Sequence, residues 1–100
     1  MNINILKTAQ IRGMSFTFFS EDLNNEEYLL GKDGTYTTLF GWYETSKSHL
    51  NEGFSVTGLP YSVSRAKYAT LVKAEDDLVD HLRYHHRINS TESLLIIQGE

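Results

Sequence analysis

The residues best suited to chemistry lie together near the end of the chain, in the stretch DLVDHLRYHHR at positions 77–87. It holds three of the four histidines, together with two aspartates and a tyrosine. On a helix, Asp77, His81 and His85 follow one another at intervals of four residues and share one face. Two histidines at this spacing can bind one divalent ion, and a carboxylate one turn earlier can supply a third ligand. The pattern is therefore compatible with a metal-dependent hydrolase or nuclease, in which an open coordination position activates water.

Two features of the same stretch favour a solvated surface over a metal centre. Metalloproteases with paired histidines place a glutamate base directly after the first histidine, whereas Leu82 follows His81. Histidine and arginine are also favoured in the last turn of any helix, because they interact with its dipole. We therefore predict that Asp77, His81 and His85 lie on an outward flank without a metal, and that no cofactor is bound. His86 projects nearer the apolar side, and we predict a histidine at the edge of the core, hydrogen-bonded to backbone.

The composition is that of an ordinary globular chain. One hundred residues, 40% hydrophobic and 22% charged, suit a single domain with its own core, so residues 1–100 are predicted to form one domain. The chain has no cysteine, which excludes disulfides and thiolate chemistry and is typical of a reducing compartment. The start, MNINILKTAQ, lacks the pattern of a secretory signal, and the longest apolar run, Leu94–Ile97, is too short to cross a bilayer. We expect a soluble, cytoplasmic protein with no membrane partner.

The charge balance bears on the kind of partner. Thirteen acidic residues against nine lysines and arginines give a formal net charge of −4. Proteins that hold nucleic acid phosphates usually carry a basic surface, so direct nucleic acid binding is disfavoured. An acidic surface attracts a basic protein surface, including that of a complex that itself binds nucleic acid.

Alternation of apolar and polar residues predicts strands in the first part of the chain. Asp33-Gly34 is typical of a hairpin turn, because it supplies the positive φ that tight turns require. The spacing of Asn24 and Glu27 also matches a helix N-cap, which leaves a short helix before the hairpin as an alternative. The predicted strands are Asn2–Thr8, Met14–Phe18, Tyr28–Gly31, Thr35–Phe40 and Phe54–Thr57.

A helix is predicted in the second part of the chain. Apolar residues at helical spacing run through Ser64–Arg87, with a buried face predicted to comprise Leu78, Val79 and Leu82. Glu75 interrupts this apolar stripe. Either Glu75 has a partner within one continuous helix, or the helix begins near Ala74 and Lys67–Lys73 forms a strand.

The last apolar run, Leu94–Ile97, has no polar residue within it and predicts a central strand that is apolar on both faces. Strands followed by a helix indicate an α+β fold. We predict an antiparallel or mixed sheet of about four to five strands, packed on one main C-terminal helix.

The aromatic residues near position 42 indicate an interaction surface. On a strand, Phe40 and Trp42 share one face and Tyr43 lies on the other, so one of these rings is expected outside the core. Tryptophan and tyrosine are frequent anchors of protein interfaces. The predicted partner-binding residues are Trp42, Tyr43 and Glu44 at the strand end, and Asp76, Asp80 and Tyr84 on the outer face of the helix.

No phosphate-binding loop, dinucleotide fingerprint or nucleophile elbow is present in the sequence. We predict a small acidic, non-enzymatic protein that binds and modulates or inhibits a macromolecular partner. Phage and mobile-element inhibitors, among them anti-CRISPR proteins, and immunity factors are of this physical type. The predicted partner is a protein with a basic surface, such as a nucleic-acid-binding complex. The alternative is the metal-dependent hydrolase or nuclease that uses Asp77, His81 and His85.

Overall fold

The structure, a computed structural model, describes residues 2–24, 36–47, 59 and 67–99. Within these residues three strands precede two helices: β1 (Asn2–Ile11), β2 (Met14–Asn24), β3 (Tyr36–Glu44), α1 (Leu71–His86) and α2 (Ser90–Gln98). The strands form one antiparallel sheet in the order β1-β2-β3. The predicted α+β class, with a helical C-terminal part, is confirmed. Neither described helix is long and apolar enough to span a bilayer.

A two-residue turn joins β1 to β2. Arg12 and Gly13 have φ of 50° and 81°, and Ile11 is paired with Met14 across the turn. Two successive positive φ values match the right-handed twist of antiparallel strands, which explains the tight hairpin. The first two predicted strands are confirmed, and both are longer than the alternation alone indicates.

β2 lies in the middle of the sheet and is buried on both of its faces. Phe16 and Phe18 join the core on the helical side, where they meet Leu78 and Leu82 of α1. The opposite face carries buried Thr17, Phe19 and Glu21. The Glu21 carboxylate forms an ion pair with Lys67, which supplies the cation that a buried carboxylate needs.

α1 begins at Leu71, which corrects both predictions for this segment. Tyr68 forms a two-way backbone bridge with Phe40 of β3, with both N–H···O distances 2.7 Å. The Thr70 side chain then caps the helix by accepting the Lys73 N–H at 3.2 Å. Because the backbone of Tyr68 is paired with β3, the helix cannot extend back to Ser64, and because Thr70 caps it, it starts before Ala74. The predicted buried face is confirmed for Leu78, Val79 and Leu82.

Glu75 interrupts the apolar stripe of the helix, and it has the partner that a helix through this position requires. Glu75 is 5% exposed, and its carboxylate forms an ion pair with Lys7 of β1. The Lys7 ammonium also donates to the carbonyl oxygen of Ile97 at 2.8 Å. One lysine therefore ties together the central part of α1, the end of α2 and the first strand.

The segment predicted as a final strand is helical. Asn89 caps α2, since its side-chain oxygen accepts the N–H groups of Thr91 at 2.7 Å and Glu92 at 3.3 Å. Leu94–Ile97 lies within this helix, with Ile97 buried and Leu95 68% exposed. Within the described residues the sheet therefore has three strands rather than four to five. The predicted elements at 28–34 and 54–57 lie outside the described residues.

Candidate partner-binding groove

A surface groove of about 240 Å³ lies where β3 meets α1. β3 contributes one residue to it, and α1 contributes the rest at intervals of three and four residues, which is the spacing that shares one helix face. The lining residues are Trp42, Asp77, Asp80, His81, Tyr84 and His85. Two carboxylates, two imidazoles, an indole and a phenol are thus brought to one place.

Trp42 is held on three sides. It pairs in register with Phe18 of β2, and the alternation along β3 directs its ring to the helical side of the sheet. Its ring centroid lies 5.7 Å from that of Phe16, nearly edge to face, and 4.9 Å from that of His81. The indole Nε1 donates a hydrogen bond to Asp77 Oδ2 at 2.9 Å. The half-buried indole therefore forms a fixed wall of the groove.

Asp77 connects the groove to the segment before α1. It accepts the Trp42 indole N–H, and together with Tyr68 it lines an adjoining groove. Burial raises the pKa of Tyr68 above its ordinary value, and hydrogen bonding to Asp77 and the negative charge of Asp77 act in the same direction.

Three histidines form a ring cluster at the other side of the groove. The His81 ring centroid lies 4.8 Å from that of His85 and 5.2 Å from that of His86. Burial lowers the pKa of His81 below the ordinary 6.5, and the charges of His85 and His86 lower it further, whereas Glu44 and Asp77 oppose the shift. His81 is consequently neutral at pH 7 and presents an uncharged aromatic ring to Trp42.

The structure brings three of the six predicted partner-binding residues together in one groove. Trp42, Asp80 and Tyr84 line the same groove, although they come from two separate parts of the sequence. Glu44 is close enough to act on the charge of His81. Asp76 lines an adjoining groove that shares Asp77 and Asp80 as a common wall.

Tyr43 is the one predicted residue that is directed elsewhere. Its ring lies 6.3 Å from Phe19, on the sheet face opposite the helices. Adjacent residues of a strand point to opposite faces, so Trp42 and Tyr43 cannot line one groove together. A role for Tyr43 in binding stays a prediction, and it would belong to a different surface.

The predicted position of the histidine stripe needs two corrections. Asp77 and His81 are half-buried against Trp42 rather than directed outward, because β3 runs beside this flank of α1. His86 is exposed rather than lying at the edge of the core. Within the described ranges, no group of three or more histidine, cysteine, aspartate or glutamate side chains has the arrangement needed to hold a metal ion.

Two features near the groove that sequence reasoning missed depend on packing between elements. Tyr68 lines the adjoining groove together with Asp77, and nothing in the sequence indicates this position. The contact between the rings of His81 and Trp42 was also not predicted. Both features depend on β3 lying beside α1.

The groove combines groups that can attract a cation. The carboxylates of Asp77 and Asp80 accept hydrogen bonds, and the rings of Trp42 and Tyr84 attract positive charge to their faces. No protein-family model, curated protein or solved structure matches this chain significantly. Its function is therefore inferred from the groove itself.

Proposed function

We propose that the protein is a small acidic, non-enzymatic domain that binds a basic surface of a protein partner and thereby modulates or inhibits that partner. The observation that carries this proposal is the groove, where Trp42 and Tyr84 stand beside the carboxylates of Asp77 and Asp80. Tyr84 is 72% exposed, so its ring is accessible to a partner.

The proposal assigns different tasks to the aromatic and acidic residues. Buried aromatic anchors supply most of the affinity of a typical interface, and Trp42 and Tyr84 provide them here. The carboxylates, in a chain of net charge −4, attract a basic surface and orient it during encounter. Affinity is therefore expected to reside mainly in the rings, and association rate and salt dependence in Asp76 and Asp80.

The walls of the groove are fixed by contacts within the protein, which supports a binding role. Its indole wall is fixed by the hydrogen bond to Asp77 and by contact with Phe16. Its helical wall is fixed because Leu78 and Leu82 are fully buried on the other side of α1. A pre-organised surface loses little conformational entropy on binding, so more of the contact energy appears as affinity.

The basic partner class includes proteins that bind nucleic acids. A surface that recognises phosphates presents lysines and arginines, and an acidic domain that covers them prevents nucleic acid from binding. This is the physical basis on which phage-encoded inhibitors, anti-CRISPR proteins among them, and immunity factors can act. A cytoplasmic location, expected from the cysteine-free sequence, is part of the proposal.

The test is an affinity capture from the native host with matched variants. Wild-type protein, Asp80→Lys with Tyr84→Ala, and a control Asp22→Lys are immobilised, and the retained proteins are identified by mass spectrometry. Asp22 lies on β2 opposite Thr38, away from the groove residue Trp42, and its replacement makes the same change in charge as Asp80→Lys. We expect one basic partner to be retained by wild type and by the control and lost with the groove variant.

Two results would count against the proposal. Equal retention of the partner by the groove variant would show that binding uses another surface. Turnover of nucleic acid or a phosphoester with added divalent metal, abolished by His81→Ala with His85→Ala, would instead support the metal-dependent alternative.

A further inference from the structure

We propose that the groove receives one arginine side chain of the partner, with the guanidinium group lying between the aromatic rings and the carboxylates. This inference rests on the proposed function and specifies the chemistry by which the groove recognises its partner. It follows from the size of the groove, from the kinds of group that line it and from their arrangement.

The size of the groove suits a single long side chain. Its volume of about 240 Å³ is below the range of roughly 300–1,000 Å³ that is usual for small-molecule pockets. It is open at the surface between one strand and one helix, so a side chain can enter from a flat partner surface. The partner's backbone would then remain outside.

The lining groups are complementary to a planar cation. Trp42 and Tyr84 offer ring faces, on which guanidinium groups stack more readily than ammonium groups do. Asp80 is exposed, and Asp77 keeps acceptor capacity beyond the oxygen that the indole occupies. Two carboxylates one helical turn apart can accept the several N–H groups of a guanidinium, whereas an ammonium group acts as a point charge.

The positive residues of α1 do not occupy the groove. Among the residues that the structure describes, the six that line it include no lysine or arginine. Arg83 lies outside it with its guanidinium carbon 5.5 Å from the centre of the Tyr84 ring. His81 adds no opposing charge at neutral pH, because it is uncharged there.

The single tryptophan of the chain makes a direct test possible. Trp42 is the only tryptophan, so intrinsic fluorescence reports on the groove wall alone. Three blocked peptides are titrated into the protein: acetyl-Gly-Arg-Gly-amide, its lysine analogue, and its citrulline analogue, which keeps the shape of arginine without the charge. We expect a saturable fluorescence change with the arginine peptide, and binding about tenfold tighter than that of the citrulline peptide, because the charge and its stacking both contribute.

Substitutions in the groove sharpen the test. Asp80→Asn should weaken arginine binding about fivefold or more, since it removes one charged acceptor, while the matched control Asp22→Asn should leave it unchanged. Tyr84→Ala should weaken binding, and Tyr84→Phe should restore it, because the ring rather than the hydroxyl is used. Both Asp80 and Tyr84 are exposed, so each variant should keep its fold, and circular dichroism is the measurement that checks this.

The possible outcomes separate this inference from the proposed function. Equal saturable binding of arginine and lysine peptides would overturn the inference for arginine and leave a general basic partner in place. Equal binding of the citrulline peptide would overturn it as well, because charge would then be irrelevant. If no peptide changes the fluorescence saturably while the affinity capture still shows groove-dependent retention, the partner is bound without an inserted arginine. Loss of both signals would overturn both proposals.

Discussion

Two acidic residues of α1, two positions apart, have opposite roles on its two flanks. Glu75 points to β1, where its nearly buried carboxylate pairs with Lys7 in a contact shared with the end of α2. Asp77 points to β3, where it accepts the Trp42 indole N–H at the wall of an open groove. The contact between Lys7 and Glu75 is nearly buried and pairs opposite charges, whereas the contact between Trp42 and Asp77 leaves carboxylate and aromatic groups accessible. The helix is thus attached to both outer strands, and the flank beside β3 is the one that the proposed function assigns to a partner.

Under the proposed function, the contacts that stabilise the fold and those that bind a partner lie on different sides of one helix. Ala74, Leu78 and Leu82 lie between the two flanks and are fully buried against the sheet. Substitutions between the flanks should affect folding, those on the β1 flank should affect folding to a smaller extent, and those in the groove should affect binding with the fold intact. Each of these expectations can be measured.

The largest effect on the free energy of unfolding is expected for a substitution in the core between the two flanks of α1. Leu82→Ala removes a side chain that is 0% exposed and should lower the free energy of unfolding by roughly 2–5 kcal/mol. Leu95→Ala, at a residue 68% exposed on α2, is the matched control and should change it by less than about 0.5 kcal/mol. Urea denaturation measures both. A loss below about 1 kcal/mol for Leu82→Ala would contradict the assigned buried face.

A smaller effect is expected on the β1 flank. Lys7→Met leaves the Glu75 carboxylate without its cation and should cost roughly 1–3 kcal/mol of unfolding free energy. Arg12→Met breaks the more exposed pair with Glu92 and should cost less than about 1 kcal/mol. Adding Glu75→Leu to Lys7→Met should recover much of the loss, because an apolar side chain suits this buried position. If the two single variants are equally stable, the Lys7 pair has no special structural role.

The pH dependence of stability tests the β3 flank. His81 has a folded-state pKa below its unfolded value of about 6.5, so between these two values the unfolded chain binds more protons. The contribution of His81 is therefore fully present above about pH 6.5 and is lost as the pH falls toward the lowered pKa. Thermal melts from pH 7.5 to 5.0 should show a shallower loss of stability for His81→Phe than for wild type. A steeper loss in the variant would contradict the burial of a neutral His81.

The smallest effect on stability is expected at the rim of the groove. Tyr84→Ala should change the unfolding free energy by less than about 0.5 kcal/mol, since the ring is mostly exposed. The same variant should weaken binding of the arginine peptide. Urea denaturation and the fluorescence titration on one protein sample therefore measure the two roles separately. A large loss of stability would mean that Tyr84 belongs to the core and not to the binding surface.

Much of the local structure could be predicted from the sequence. Alternating residues place β1 and β2, Arg12-Gly13 permits their tight turn, and helical spacing identifies Leu78, Val79 and Leu82 as the buried face. The same reasoning failed at Leu94–Ile97, where a run of apolar residues fits a buried strand or a helix equally well. The Asn89 cap and the packing of Ile97 against the core decide for the helix.

The candidate site depended on more distant contacts. Helical spacing is enough to predict that α1 carries aspartates, histidines and a tyrosine on one side, and strand alternation that Trp42 and Tyr43 point to opposite faces. The contacts of Trp42 with Asp77 and His81, and of Lys7 with Glu75, arise instead from the packing of separate elements. Trp42 and Asp77 are 35 positions apart in the sequence, and Lys7 and Glu75 are 68 positions apart. Periodicity is a property of neighbouring residues, whereas contacts at such separations depend on how the strands pair and on which side of the sheet the helix packs.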